Sequence, residues 1–174
     1  MKPISREEFD RETSHLRRNA AFADAVRYCR SVRRRIAAHI RQNGADLELS
    51  QFVRIVYFEE ADFLGELGRG KESLAASIHG NKIAQQNQNV TERFQGYRIL
   101  HFAYRRMNDW DNALSCLLKA FDISASDANM DYALIAIDHI IEIEKHLEMV
   151  NATDLCKMLR RIMLGSATRR RRLS

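Results

Sequence analysis

One proline, at position 3, and seven glycines are all the strong chain-breakers in 174 residues. A β-sandwich of this length needs a turn roughly every 8–12 residues. So few breakers, three of them crowded at Gly65, Gly68 and Gly70, cannot supply those turns. The stretches between them suit helices instead, and their apolar residues recur at helical spacing. Phe22, Val26, Cys29, Ile36 and Ile40 step by three, four or seven along one stripe. Hydrophobic residues make up 45% of the chain, enough for one domain with its own core and no disulfide or metal staple. The sequence therefore predicts an all-α fold.

Caps and breakers set the expected helix ends. After an N-terminal arm over 1–16, a first helix is expected from about 17 to 42, stopped by Asn43-Gly44. Ser50 would cap a second over 51–67, ended by Gly68 and Gly70, and a third follows over 71–86. Thr91 would cap a fourth over 92–107, and Asn108-Asp109 turns the chain into a fifth over 110–123. Ser126 or Asp127 would open a sixth over 128–146, and Asn151 a seventh over 151–164, before a basic, disordered tail over 165–174. Short connections make neighbouring helices antiparallel pairs.

The segment 97–127 closely resembles a tetratricopeptide repeat. Tyr97, Leu100, His101 and Tyr104 stand at the family's first-helix positions, although His101 replaces a small residue there. Asn108, Asp109, Trp110 and Ala113 match the turn, and Leu117, Ala120 and Ala125 the second helix and its loop, Ala125 in place of the usual Pro. A weaker copy runs through Tyr57, Ala61, Leu64, Gly68, Ser73, Leu74 and Gly80. Its offset of 40 from the first, against about 34 in the family, implies an insertion around QQNQN. A third, degenerate copy begins at Tyr132, Ile135 and Ala136. The resemblance, which covers about 55–164, implies antiparallel helix pairs in a short superhelix; the whole helical domain is expected over 17–164, its extra N-terminal helix capping the array or mediating self-association, with a homodimer as one candidate state. It also implies a groove, lined by the first helices, that binds an extended peptide or helix. The residues on that line would be Phe58, Asp62 and Gly65, then Arg98, Phe102 and Arg105, then Ala133, Ile137 and Ile140. Two arginines flanking Phe102 would suit an acidic, partly apolar segment; the alternative is a solvated face with Phe102 packed on a neighbouring helix. Stand-alone proteins of this architecture include secretion chaperones, one subgroup within an adaptor or chaperone reading.

Charge is distributed in blocks. Residues 1–43 carry 11 basic and 5 acidic side chains, 44–156 carry 10 and 18, and 157–174 carry 7 and none. Such blocks steer partners of opposite charge or attract one another. Arg27, Arg30, Arg33, Arg34, Arg35 and Arg41 crowd one helix and, with the basic C-terminal tail, could meet phosphates, so a nucleic-acid-associated regulator is the alternative function. No helix-turn-helix, zinc-finger or RNA-recognition signature accompanies them, and docking on the acidic middle of the same or another chain explains them as well. Cys29, Cys116 and Cys156 are odd in number and widely spaced, as in a reducing cytoplasm. No leader-like or membrane-spanning apolar run is expected. His139, Glu142 and His146 share a helix side, but Tyr132, Ile135 and Ile143 share the histidines' side, so they read as packing histidines rather than metal ligands. No phosphate loop or nucleophile elbow occurs. A non-enzymatic protein without cofactor or metal is expected.

Overall fold

The computed structural model describes residues 4–44 and 47–147. They form seven helices and no strand: α1 (Arg6–Arg18), α2 (Phe22–Asn43), α3 (Leu47–Glu66), α4 (Gly70–Gln85), α5 (Val90–Arg106), α6 (Trp110–Ser126) and α7 (Met130–His146). The all-α expectation holds. The helix expected over 151–164, the tail over 165–174 and Cys156 lie outside the described residues.

Two compact units divide after Asn87. In the first, α1 packs on α2, α2 on α3 and α3 on α4; in the second, α5 packs on α6 and α6 on α7. Helix α1 fills most of the stretch expected as an arm. Ser5 caps it, accepting from the Glu8 N–H at 3.2 Å, and its Phe9 is fully buried, stacked on Tyr28 and edge-on to Phe52. Burying that ring contributes about 2–3 kcal/mol, which pins an otherwise polar helix to the core.

Four of the turns are built alike. Ala21, Arg69, Asp109 and Asn129 donate their N–H to the carbonyls of Leu16, Leu64, Tyr104 and Ser124, five residues back, at 2.8–3.0 Å. The residue before each donor is left-handed: Ala20 (φ 51°), Gly68 (70°), Asn108 (58°) and Ala128 (53°). This is Schellman closure, in which two carbonyls of the last helical turn find partners before the chain reverses.

The turns produce a regular step. Helices α4, α5, α6 and α7 start at Gly70, Val90, Trp110 and Met130, 20 residues apart. Burial repeats with them: Ser73, Ala76, Ser77, Gly80 and Ala84 in α4 recur as Ala113, Cys116, Leu117, Ala120 and Ser124 in α6, and as Ala133, Ala136, Ile137, Ile140 and Glu144 in α7. The 40-residue offset is thus a pair of 20-residue helix-turn steps, and the expected insertion is absent: only residues 86–89 separate α4 from α5. Small residues allow close approach. A Cβ on Gly80 would lie 2.4 Å from the Phe58 ring, and Ser73 donates its hydroxyl to the Ala61 carbonyl at 2.7 Å.

Three caps differ from expectation. Ser50 lies inside α3, which starts at Leu47, and Asn89 rather than Thr91 caps α5 through the Glu92 N–H. Asn129, not Ser126 or Asp127, caps α7, because α6 runs to Ser126 and the left-handed turn uses the next two residues.

Candidate functional site

In the second unit, α5 and α7 lie side by side. Phe94 stacks on Tyr132 with centroids 4.6 Å apart, His101 meets His139 at 5.0 Å, and Arg105 donates to Glu142 at 2.6 Å. Two helices separated in sequence by α6 therefore present one face. Arg98, Phe102 and Arg105 lie on it half-buried, as does His139, with Glu142 exposed beside them. Phe102 sits edge-on to His139 at 5.4 Å. The Arg98 Nε is buried without a hydrogen-bond partner. Arg105 also lies over Trp110, and its hydrogen bond holds the Glu142 carboxyl below the usual carboxylate range. Sequence reading reached Arg98, Phe102 and Arg105 but not their neighbours His139 and Glu142, which were legible only as a same-helix pair.

His101 forms the floor of this face. It is fully buried, and its Nδ1–H donates to the Arg98 carbonyl at 2.9 Å, so Nε2 is an acceptor left without a partner. Burial lowers its pKa to about 4, with further pressure from His139 and Arg105. It is neutral at physiological pH.

Two of the groove expectations, Phe58 and Ile137, are corrected. Ile137 and Phe58 are buried in the cores of their own units and are not available to a partner. The reason for Phe58 is that α3 packs on both α2 and α4, so its second face is covered too; the ring lies against Gly80 and beneath the Arg54 guanidinium. Asp62 accepts from Arg17 at 2.6 Å, while Glu59 takes the other Arg17 nitrogen at 2.8 Å.

The arginine-rich helix α2 turns its charge inward as well as outward. Glu60, whose side chain is 3% exposed, meets Arg30 at 2.8 Å and Arg33 at 2.9 Å. Arg30 continues to Glu72, which Arg69 also holds, and these two bonds lower the Glu72 pKa. Arg33 lies over the Tyr57 ring, whose neighbour in the stack is His79. Arg30 and Arg33 are therefore committed within the chain. Arg35 is half-buried, Arg27 pairs with Asp24 one turn earlier, and Arg27, Arg34 and Arg41 are exposed. The partners of Arg30 and Arg33 lie 27 to 42 residues away, beyond any local signal.

Among the described residues, no group of three metal-ligating side chains is suitably gathered. His146 lies against Trp110 with the rings tilted by 32° and centroids 3.9 Å apart, and His139 meets Glu142 at 3.6 Å. Cys29 and Cys116 are free and buried, and burial raises both thiols, Cys116 to about 11. Among the described residues, no helix is long and apolar enough to cross a membrane.

Regularly stepped helices joined by like turns define an all-helical, repeat-like fold. The same fold occurs in the crystal structure of BtubC (BKLC) from P. vanneervenii, with a TM-score of 0.67 at 14% identity over 84% of this chain. This chain spans 58% of that one, and at such identity the likeness concerns the fold alone. No family model matches the chain, and no curated protein does.

Proposed function

We propose that this protein is a non-enzymatic, tetratricopeptide-like adaptor or chaperone of the cytoplasm. Its α5–α7 face binds an extended, acidic and partly apolar segment of another protein. The observation that carries this reading is the lateral pairing of α5 and α7, which assembles Arg98, Phe102, Arg105, His139 and Glu142 from two non-adjacent helices. Phe102 offers apolar area, while the half-buried Arg98 offers positive charge to a carboxylate. Arg105 starts from its bond to Glu142, so an incoming acid must compete for it, which favours sequence selectivity over tight general binding. The two buried free thiols fit a reducing compartment.

The test is selection of peptides from a displayed random library, followed by titration of the winners. Acidic peptides with an apolar residue should emerge, and Arg98→Glu and Phe102→Ala should each weaken them at least tenfold, about 1.4 kcal/mol, with the circular-dichroism spectrum unchanged. Winners indifferent to both substitutions would rule this face out. The nucleic-acid reading has less to rest on, because Arg30 and Arg33 are occupied by Glu60.

A further inference from the structure

Helical spacing sets two pairs against each other in the second unit: His101 and Arg105, four apart on α5, and His139 and Glu142, three apart on α7. Glu142 stands between two bases and turns a different oxygen to each. Its Oε1 accepts from Arg105 at 2.6 Å, while its Oε2 lies 3.6 Å from the His139 Nδ1, too far for a good hydrogen bond. A charge on the imidazole would strengthen that second contact. The His139 side chain is a quarter exposed, so protons reach it from solvent. Imidazole is also the side-chain group that ordinarily gains its charge between pH 8 and pH 5.

The charged and titratable groups around His139 are Arg98, His101 and Arg105 on α5 and Glu142 on its own helix, with the Phe102 ring edge-on. Asp138, the preceding residue, is exposed about 100° round the helix. Helix α6 meets α7 through Ala113, Leu117 and Ala120, none of them titratable. His101, buried with its pKa lowered to about 4, stays neutral above pH 5. With His139 neutral, Arg98 and Arg105 against Glu142 leave one positive charge on the face; protonation of His139 makes it two.

We propose, on the footing that this face binds an acidic segment, that His139 is its pH switch: protonation draws Glu142 off Arg105 and tightens the hold on the segment as pH falls. Two effects act in the same direction. The charged imidazole competes with Arg105 for the shared carboxylate, which releases the guanidinium fork to the segment, and it adds a positive charge beside the incoming acid. Carboxylates of the segment stay ionised above about pH 5, so they do not cancel the gain. By linkage, the bound segment raises the proton affinity of His139 by the factor through which protonation raises affinity for the segment.

The free full-length chain tests the switch without any partner. In NMR of the isotope-labelled protein, the Arg105 Nε and Cζ signals should move with the same midpoint as the His139 ring between pH 8 and pH 5.5, and should stay still in His139→Gln. The probe for binding is the tightest histidine-free acidic peptide from the selected library. Its Kd for the wild type should be about two- to fivefold lower at pH 5.5 than at pH 8, the range set by one exposed ion pair. In His139→Gln the ratio of the two Kd values should fall to about one. Winners indifferent to Arg98→Glu and Phe102→Ala would refute the face itself. Winners that need the face yet keep the wild-type pH ratio in His139→Gln would overturn the switch alone. So would Arg105 signals in the free chain that do not follow the His139 ring, or a His139 ring that does not titrate in this range.

Discussion

Acidification should destabilise this protein through His101 before most carboxylates protonate. The imidazole is fully buried and neutral with a pKa near 4, against 6.5 when exposed in the unfolded chain. The folded pKa is the lower one, so the stabilisation is complete above the unfolded pKa and is lost as pH falls towards the folded one. Below about pH 6.5 the unfolded state gains a proton that the folded state refuses. At roughly 1.4 kcal/mol per unit of separation the total is capped near 3 kcal/mol, of which about 2 kcal/mol is lost between pH 7 and pH 5. His101→Leu removes the titration while roughly keeping the volume. Urea unfolding of wild type and His101→Leu at both pH values isolates the effect, because the rest of the chain is common to the two. Wild type should lose about 2 kcal/mol more than the variant. Equal losses would refute the burial of a neutral His101 and with it the packing of α5 against α7.

Other outcomes follow from single contacts. Ala20 and Ala128 occupy left-handed turn positions where Gly68 and Asn108 stand elsewhere; Ala20→Gly and Ala128→Gly should each stabilise by about 0.5–1 kcal/mol in thermal or urea melts, because relief of the Cβ strain exceeds the added chain entropy. Gly80→Ala drives a methyl into the Phe58 ring and should cost about 1–3 kcal/mol by the same assay. Changing both Arg30 and Arg33 to Ala strands the buried Glu60 carboxylate and should cost about 3–5 kcal/mol. Glu60→Gln leaves two arginines free to turn into water and should cost less, about 1–2 kcal/mol.

The helices were legible where breakers and caps coincide, as at Gly68–Gly70 and Asn108-Asp109, because those residue types accept the backbone angles that the turn demands. The break between α1 and α2 was missed because Ala20 carries the left-handed turn, and alanine gives no signal for it. Helix α1 itself had one: Ser5 followed three residues later by Glu8 is a capping-box spacing. On the α5–α7 face, the resemblance to a repeat, together with helical spacing, brought Arg98, Phe102 and Arg105 together. Phe58 and Ile137 were misjudged because a single amphipathic stripe cannot reveal a helix covered on two sides. The bond between Arg105 and Glu142 and those from Arg30 and Arg33 to Glu60 join separate helices, so they depend on packing that no local pattern encodes.

The most direct test of the adaptor reading is NMR mapping of a library-selected peptide on the isotope-labelled full-length chain. Binding on the α5–α7 face should concentrate shifts at Arg98, Phe102, Arg105, His139 and Glu142, and break the Arg105–Glu142 contact as the peptide saturates. Saturable binding that shifts residues elsewhere and leaves those five unmoved would contradict it.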